Sequence, residues 1–162
     1  MQEGLGPRWK VGLADFRLAG EPSVLVAYGL GSCVGVSLFD PTRRICALAH
    51  IMLPFWGNGP GDDNPRKYAD RALEMMVEAL LRAGASRAAL GGKMAGGATM
   101  FPEIQRAPVG ERNVQAVGVT LAALGIPLLG QDVGGDYGRT VELYSDAGRL
   151  LVRSYRKGDL WI

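Results

Sequence analysis

Along most of this chain apolar residues alternate with polar ones or form short runs, and only twice do they recur at helical spacing. The first helical pattern follows Asn64-Pro65, which reads as an N-cap with proline at the first helical position. Tyr68, Ala72, Leu73, Met76, Val77, Leu80 and Leu81 then share one face until Gly84 closes the element. The second pattern runs from about Arg112 to Leu124. It turns Val114, Val117, Leu121 and Leu124 inward, and Gly125 with Pro127 ends it.

Everything else reads as strand or turn. The spacing predicts strands at Lys10–Leu18, Val24–Tyr28, Cys33–Phe39, Arg44–Met52, Ala88–Met94, Leu128–Asp132, Thr140–Tyr144 and Leu150–Tyr155. Ser145-Asp146-Ala147-Gly148 suits a hairpin turn between the last two. Glycines cluster at Gly57–Gly61, Gly91-Gly92, Gly96-Gly97 and Gly134-Gly135, where backbone can pass close to backbone or take positive φ. Many strands, neighbouring hairpins and two helices predict an α/β fold, a mixed-sheet layered sandwich. A doubly wound parallel sheet would need more crossover helices. No linker or repeat divides residues 1–162, so one domain is expected.

Composition narrows the function. A formal net charge of +2, with basic residues spread evenly, argues against nucleic acid as a partner. No apolar run reaches the length of a bilayer span, so direct membrane insertion is not expected. The opening MQEGLGPRWK lacks the layout of a signal peptide, and two cysteines without an export signal suit a reducing cytoplasm.

Both cysteines and the only histidine fall within LGSCVGVSLFDPTRRICALAHIML, Leu30–Leu53. Asp40-Pro41-Thr42-Arg43 supplies a type I turn. Folding the chain about Pro41-Thr42 pairs Phe39 with Arg44, Val34 with Ala49 and Cys33 with His50. Directly opposed residues share a face, with Cβ atoms roughly 5 Å apart. Val34, Val36 and Leu38 then oppose Ala49, Ala47 and Ile45 on one face. Cys33, Gly35 and Ser37 share the other with His50, Leu48 and Cys46. Cys33 and Cys46 lie on the order of 13 Å apart along such a strand, too far for a disulfide. Nor do two cysteines and one histidine at these distances converge on a metal.

A thiol beside an imidazole is the pattern of a cysteine nucleophile with its general base. Gly29-Leu30-Gly31-Ser32 precedes the thiol, and a tight turn there aims backbone N–H groups, at Gly31 and Ser32 among others, toward an oxyanion. Such a site suits amide or ester hydrolysis without a cofactor. The same residues also read as a small core cysteine and a structural histidine.

At these residues the sequence resembles the CheD family of chemoreceptor glutamine deamidases: GLGSCVGV followed by AHIMLP. KYADRALEMM at Lys67–Met76, KMAGGATMF at Lys93–Phe101, GERNV at Gly110–Val114 and QDVGGDYGRTVEL at Gln131–Leu143 extend the likeness. The resemblance implies hydrolysis of selected glutamine side chains on the cytoplasmic helices of methyl-accepting chemotaxis receptors, with Cys33 as nucleophile and His50 as base. It also implies a fold related to deamidating cytotoxic necrotizing toxins and a CheC-type phosphatase as partner.

One position departs from the family pattern T-x-G-L-G-S-C: the threonine that orients the histidine is replaced by Ala27. This leaves a second expectation, a catalytically weakened module that binds CheC or receptor helices. Tyr28 is adjacent but points to the other face, and Ser37 or a backbone carbonyl are further alternatives for holding the imidazole. Gly96-Gly97 and Gly134-Gly135 read equally as tight turns. Arg112, Asn113 and Arg139 read as local polar groups at element ends. Met94, Met100 and Phe101 read as core packing more readily than as a groove for a partner helix.

Overall fold

The computed structural model describes residues 6–57, 64–104 and 108–162. Gly59 and Gly61, within the first glycine cluster, lie outside the described residues. Ten strands and two helices make three layers. One mixed sheet runs β1 (Arg8–Lys10), β3 (Val24–Leu30), β8 (Arg139–Tyr144), β9 (Arg149–Ser154), β10 (Gly158–Trp161). The other runs β2 (Asp15–Gly20), β5 (Ile45–Ile51), β4 (Val34–Asp40), β6 (Gly91–Gly96), β7 (Leu128–Val133). Each sheet holds one parallel pair, β1 with β3 and β6 with β7. The mixed-sheet α/β sandwich is therefore present, as two five-stranded sheets and two helices.

Alternation along β4 and β5 divides two cores. Val34, Val36, Leu38, Ala47, Ala49 and Ile51 pack against the helices α1 (Ala69–Arg82) and α2 (Val109–Ala123). Cys46 and Leu48 face the first sheet, where Leu25, Ala27, Leu30, Val141, Leu143 and Leu150 close the second core. Both strands are almost wholly buried because both their faces are covered.

Several boundaries differ from the sequence reading. Lys10–Leu18 is not one strand. The chain leaves β1 at Lys10, turns through Ala14 at positive φ, and enters the opposite sheet as β2. Asn64 caps a single 3-10 turn at Pro65–Lys67, and α1 begins only at Ala69. Helix α2 starts at Val109, three residues before Arg112. Strand β10 has no counterpart in the prediction; its four residues are all exposed, so burial imposes no pattern on them.

Candidate active site

The site is built where β4 begins. A register shift in β3 between Ala27 and Leu30, with Gly29 at positive φ, bends the chain out of the first sheet. Residues 31–33 then cross to the second sheet and become β4. Three consecutive carbonyls of this crossing are tied down: Gly31 O accepts from Ala98 N at 2.8 Å, and Cys33 O from Gly97 N at 2.8 Å. Between them, Ser32 O accepts from Asn113 Nδ2 at 2.9 Å. Gly31 N donates to Gly29 O at 3.1 Å and the Cys33 N–H is directed at its own sulfur, whereas the Ser32 amide has no backbone partner among the described residues.

Gly96 and Gly97 have a reason to be glycine. Both take positive φ, and a Cβ on Gly96 would collide with the Cys33 carbonyl oxygen. Gly110, in the first turn of α2, packs directly on the carbonyls of Gly97 and Ala98. These glycines press β6 and α2 onto the Cys33 backbone.

The β4–β5 register is not the predicted one. Gly35, rather than Cys33, stands opposite His50; Val34 pairs with Ile51, and Phe39 with Cys46. The turn occupies Pro41–Arg44, one residue later than expected, so each partner moves by two. Asp40 holds it there. Its Oδ1 accepts from Thr42 N and Oγ1 and from Arg43 N, and its backbone oxygen from Arg44 N, while Oδ2 accepts from Ser86 N at 2.7 Å. A shift of two preserves the faces: Gly35, opposite His50, faces Leu30 and Val141 of the first sheet, and Cys33, one residue beyond the end of the ladder, packs against the same core.

Cys33 is half-buried, and both cysteines are free thiols. Burial raises the Cys33 pKa, and its own backbone N–H, directed at the sulfur, works the other way. Cys46 lies fully inside with its thiol on the Ala19 carbonyl, and burial pushes its pKa up to about 12. His50 is 1% exposed, and neither ring nitrogen has a hydrogen-bond partner among the described residues. Burial lowers its pKa, so the ring is neutral at physiological pH.

Ala27 is fully buried among Leu30, Leu48 and Val141, facing the sheet that carries His50. Tyr28 points outward and is exposed. Ser37 is buried opposite Leu48, one rung from the Gly35–His50 pair.

Arg139 is 1% exposed on its side chain and pairs with Asp132 at 3.0 Å. It also donates to the Gly134 carbonyl at 2.8 Å and to Tyr137 Oη at 3.0 Å, and stacks 4.1 Å from the Tyr137 ring centre. Since Gly134 N in turn donates to Gly96 O, the second Gly-Gly pair supports the first from behind. Arg112 is exposed on α2. Met94 belongs to the helix-side core, but Met100 and Phe101 do not pack inside; both are exposed, with Met100 beside Gly31. Among the described residues no three His, Cys, Asp or Glu side chains gather as metal ligands, and no helix is long and apolar enough to cross a membrane.

Two five-stranded mixed sheets and two helices, with a half-buried thiol at the crossing between the sheets and a buried neutral imidazole on the adjoining strand, define the class: an α/β two-sheet protein. Residues 52–154 match the family described as CheD chemotactic sensory transduction. The chain is 47% identical over 152 residues to a probable chemoreceptor glutamine deamidase CheD of Desulfitobacterium hafniense (strain DSM 10664 / DCB-2), covering 92% of this chain and 94% of that one. It is 45% identical over 160 residues to the probable chemoreceptor glutamine deamidase CheD of Archaeoglobus fulgidus, covering 98% and 100%. With the chemoreceptor glutamine deamidase CheD of Halalkalibacterium halodurans it shares 43% identity over 156 residues, covering 93% and 95%. The chain belongs to the CheD family.

Proposed function

We propose that this protein hydrolyses glutamine side-chain amides on the cytoplasmic helices of chemoreceptors, with Cys33 as nucleophile and His50 as general base. The observation that carries the reading is the shared core: a half-buried thiol just beyond the end of β4 packs toward the first sheet, and the buried neutral imidazole, without a hydrogen-bond partner among the described residues, stands opposite Gly35 on that side. Because burial raises one pKa and lowers the other, the resting pair is thiol and free base rather than an ion pair. The thiol proton passes to His50 as sulfur attacks the amide carbon. The Ser32 amide is a donor for the oxyanion that develops. The proton returns to the leaving nitrogen, ammonia departs, and a thioester remains on Cys33. Water, losing a proton to His50, then attacks the thioester and releases glutamate with the thiol restored. Exposed Met100 and Phe101 supply apolar surface beside the site for a receptor helix.

Ala27 favours a second reading. The first sheet presents the Ala27 methyl to the inter-sheet core where the family pattern has a hydroxyl, so a weakened enzyme would act by binding a CheC-type phosphatase or receptor helices.

Incubation with a receptor cytoplasmic fragment, following ammonia release together with glutamine-to-glutamate conversion by mass spectrometry, separates the two. Conversion by the natural protein and none by Cys33→Ala supports the deamidase. Equal conversion by both removes it, and binding without conversion supports the second reading.

A further inference from the structure

We infer that Asn113 is a positioning residue that sets the spacing of Cys33 and His50, an inference that rests on the deamidase reading of that pair. The last ladder pair of β4 and β5 at this end is Val34 with Ile51. Beyond it the strands part, and there the Asn113 side chain donates from Nδ2 to Ser32 O at 2.9 Å and to Met52 O at 3.0 Å. One amide thus joins the residue before Cys33 to the residue two after His50, forming an added rung where the ladder ends.

The orientation of the amide follows from its partners, since an oxygen in place of Nδ2 would face two carbonyl oxygens. Asn113 is completely buried, and its Oδ1 has no partner among the described residues. A buried acceptor left unpaired is costly, so the retained value of this side chain lies in its two donated bonds. Those bonds act on backbone one residue before Cys33 and two residues after His50. Helix α2, seated through Gly110 on Gly97 and Ala98, fixes where the amide stands. The other carbonyls of the crossing are held by backbone; the Ser32 carbonyl depends on this side chain. Loss of the rung lets Ser32 and Met52 separate and carries Cys33 away from His50.

The test compares the natural protein with Asn113→Leu, which keeps the volume and removes both donors, and Asn113→Ser, which is smaller and keeps one. Receptor-fragment deamidation gives kcat and KM, and Cys33 alkylation is followed against pH. A displacement near 1 Å at a reacting group costs about 100-fold in rate. The expected result is therefore a fall in kcat of about that size for Asn113→Leu, and a smaller one for Asn113→Ser. KM should stay within about twofold, because no contact with substrate is removed. Alkylation of Cys33 at neutral pH should slow in both variants as the base leaves the thiol. Folded variants with unchanged kcat and alkylation profile overturn the inference. So does a loss confined to KM, or failure of both variants to fold, which would make Asn113 structural only. Activity that survives Cys33→Ala would instead sink the deamidase reading, independently of the Asn113 result.

Discussion

His50 stands opposite Gly35 across the β4–β5 ladder and opposite Asp15 across the β2–β5 ladder, so on the β4 side no side chain stands directly across from the imidazole. A Cβ at Gly35 would sit 3.0 Å from both Leu30 Cδ1 and Val141 Cγ2. Gly35→Val should therefore overpack the space between the sheets, at a cost of about 1–3 kcal/mol. Thermal melting should fall by roughly 2–4 °C for each kcal/mol. Deamidation should drop further than stability alone explains, because the added methyls crowd the imidazole. Gly35→Ala should show the same pair of effects, reduced. An unchanged rate in a folded Gly35→Val protein would contradict this.

The two thiols should differ sharply in reactivity. Cys33 is half-buried with His50 nearby, whereas Cys46 is enclosed with its pKa near 12. Alkylation of the folded protein, mapped by peptide mass spectrometry across about pH 6 to 10, should label Cys33 and spare Cys46 until denaturant is added. Cys46→Ala should retain deamidation, while His50→Ala should abolish it and slow alkylation of Cys33 at neutral pH.

Restoring the hydroxyl at Ala27 should raise the rate. His50 has two buried nitrogens without hydrogen-bond partners among the described residues, and Ala27 faces its sheet from across the core. Ala27→Thr offers a hydrogen bond that fixes the ring, and an increase of about tenfold in kcat is expected from comparable orienting partners. A lower melting temperature with no gain in rate would mean that the hydroxyl is buried unsatisfied.

Stability should fall with acid in two windows. Burial works to raise the Asp40 pKa, but hydrogen bonds from Ser86, Thr42 and Arg43 outweigh it and hold the value at about 2. Its contribution, about 2 kcal/mol, is whole above the unfolded carboxylate pKa near 4 and is lost as pH falls toward about 2. Asp40→Asn should lower the melting temperature at pH 7 and have less effect near pH 2. His50 acts earlier. Its folded pKa is depressed by burial, so stability is full above the unfolded value near 6.5 and erodes as pH falls below it. His50→Gln should flatten the melting profile in that upper window and leave the lower one intact.

Periodicity alone revealed most strands, both helices and the division of β4 and β5 into two faces, because a side-chain period of two is written directly in residue order. Hairpin pairing and the family motifs both singled out Cys33 and His50, the pairing with a register two residues off. Local turn chemistry was less decisive. Asp-Pro-Thr-Arg suits a turn starting at either of two positions, and the choice was made by Ser86, 46 residues away, binding the Asp40 carboxylate. Asn113 could be read only as a polar residue near a helix start. Its partners, Ser32 and Met52, lie 81 and 61 residues away in sequence.

What residue order by itself determined was which side chains share a face, since a two-residue slip leaves that alternation intact. Which of them stand opposite one another, and what holds the ends of their strands together, was decided by long-range hydrogen bonds and close glycine contacts. Those depend on distances between segments remote in sequence, and no local pattern encodes them.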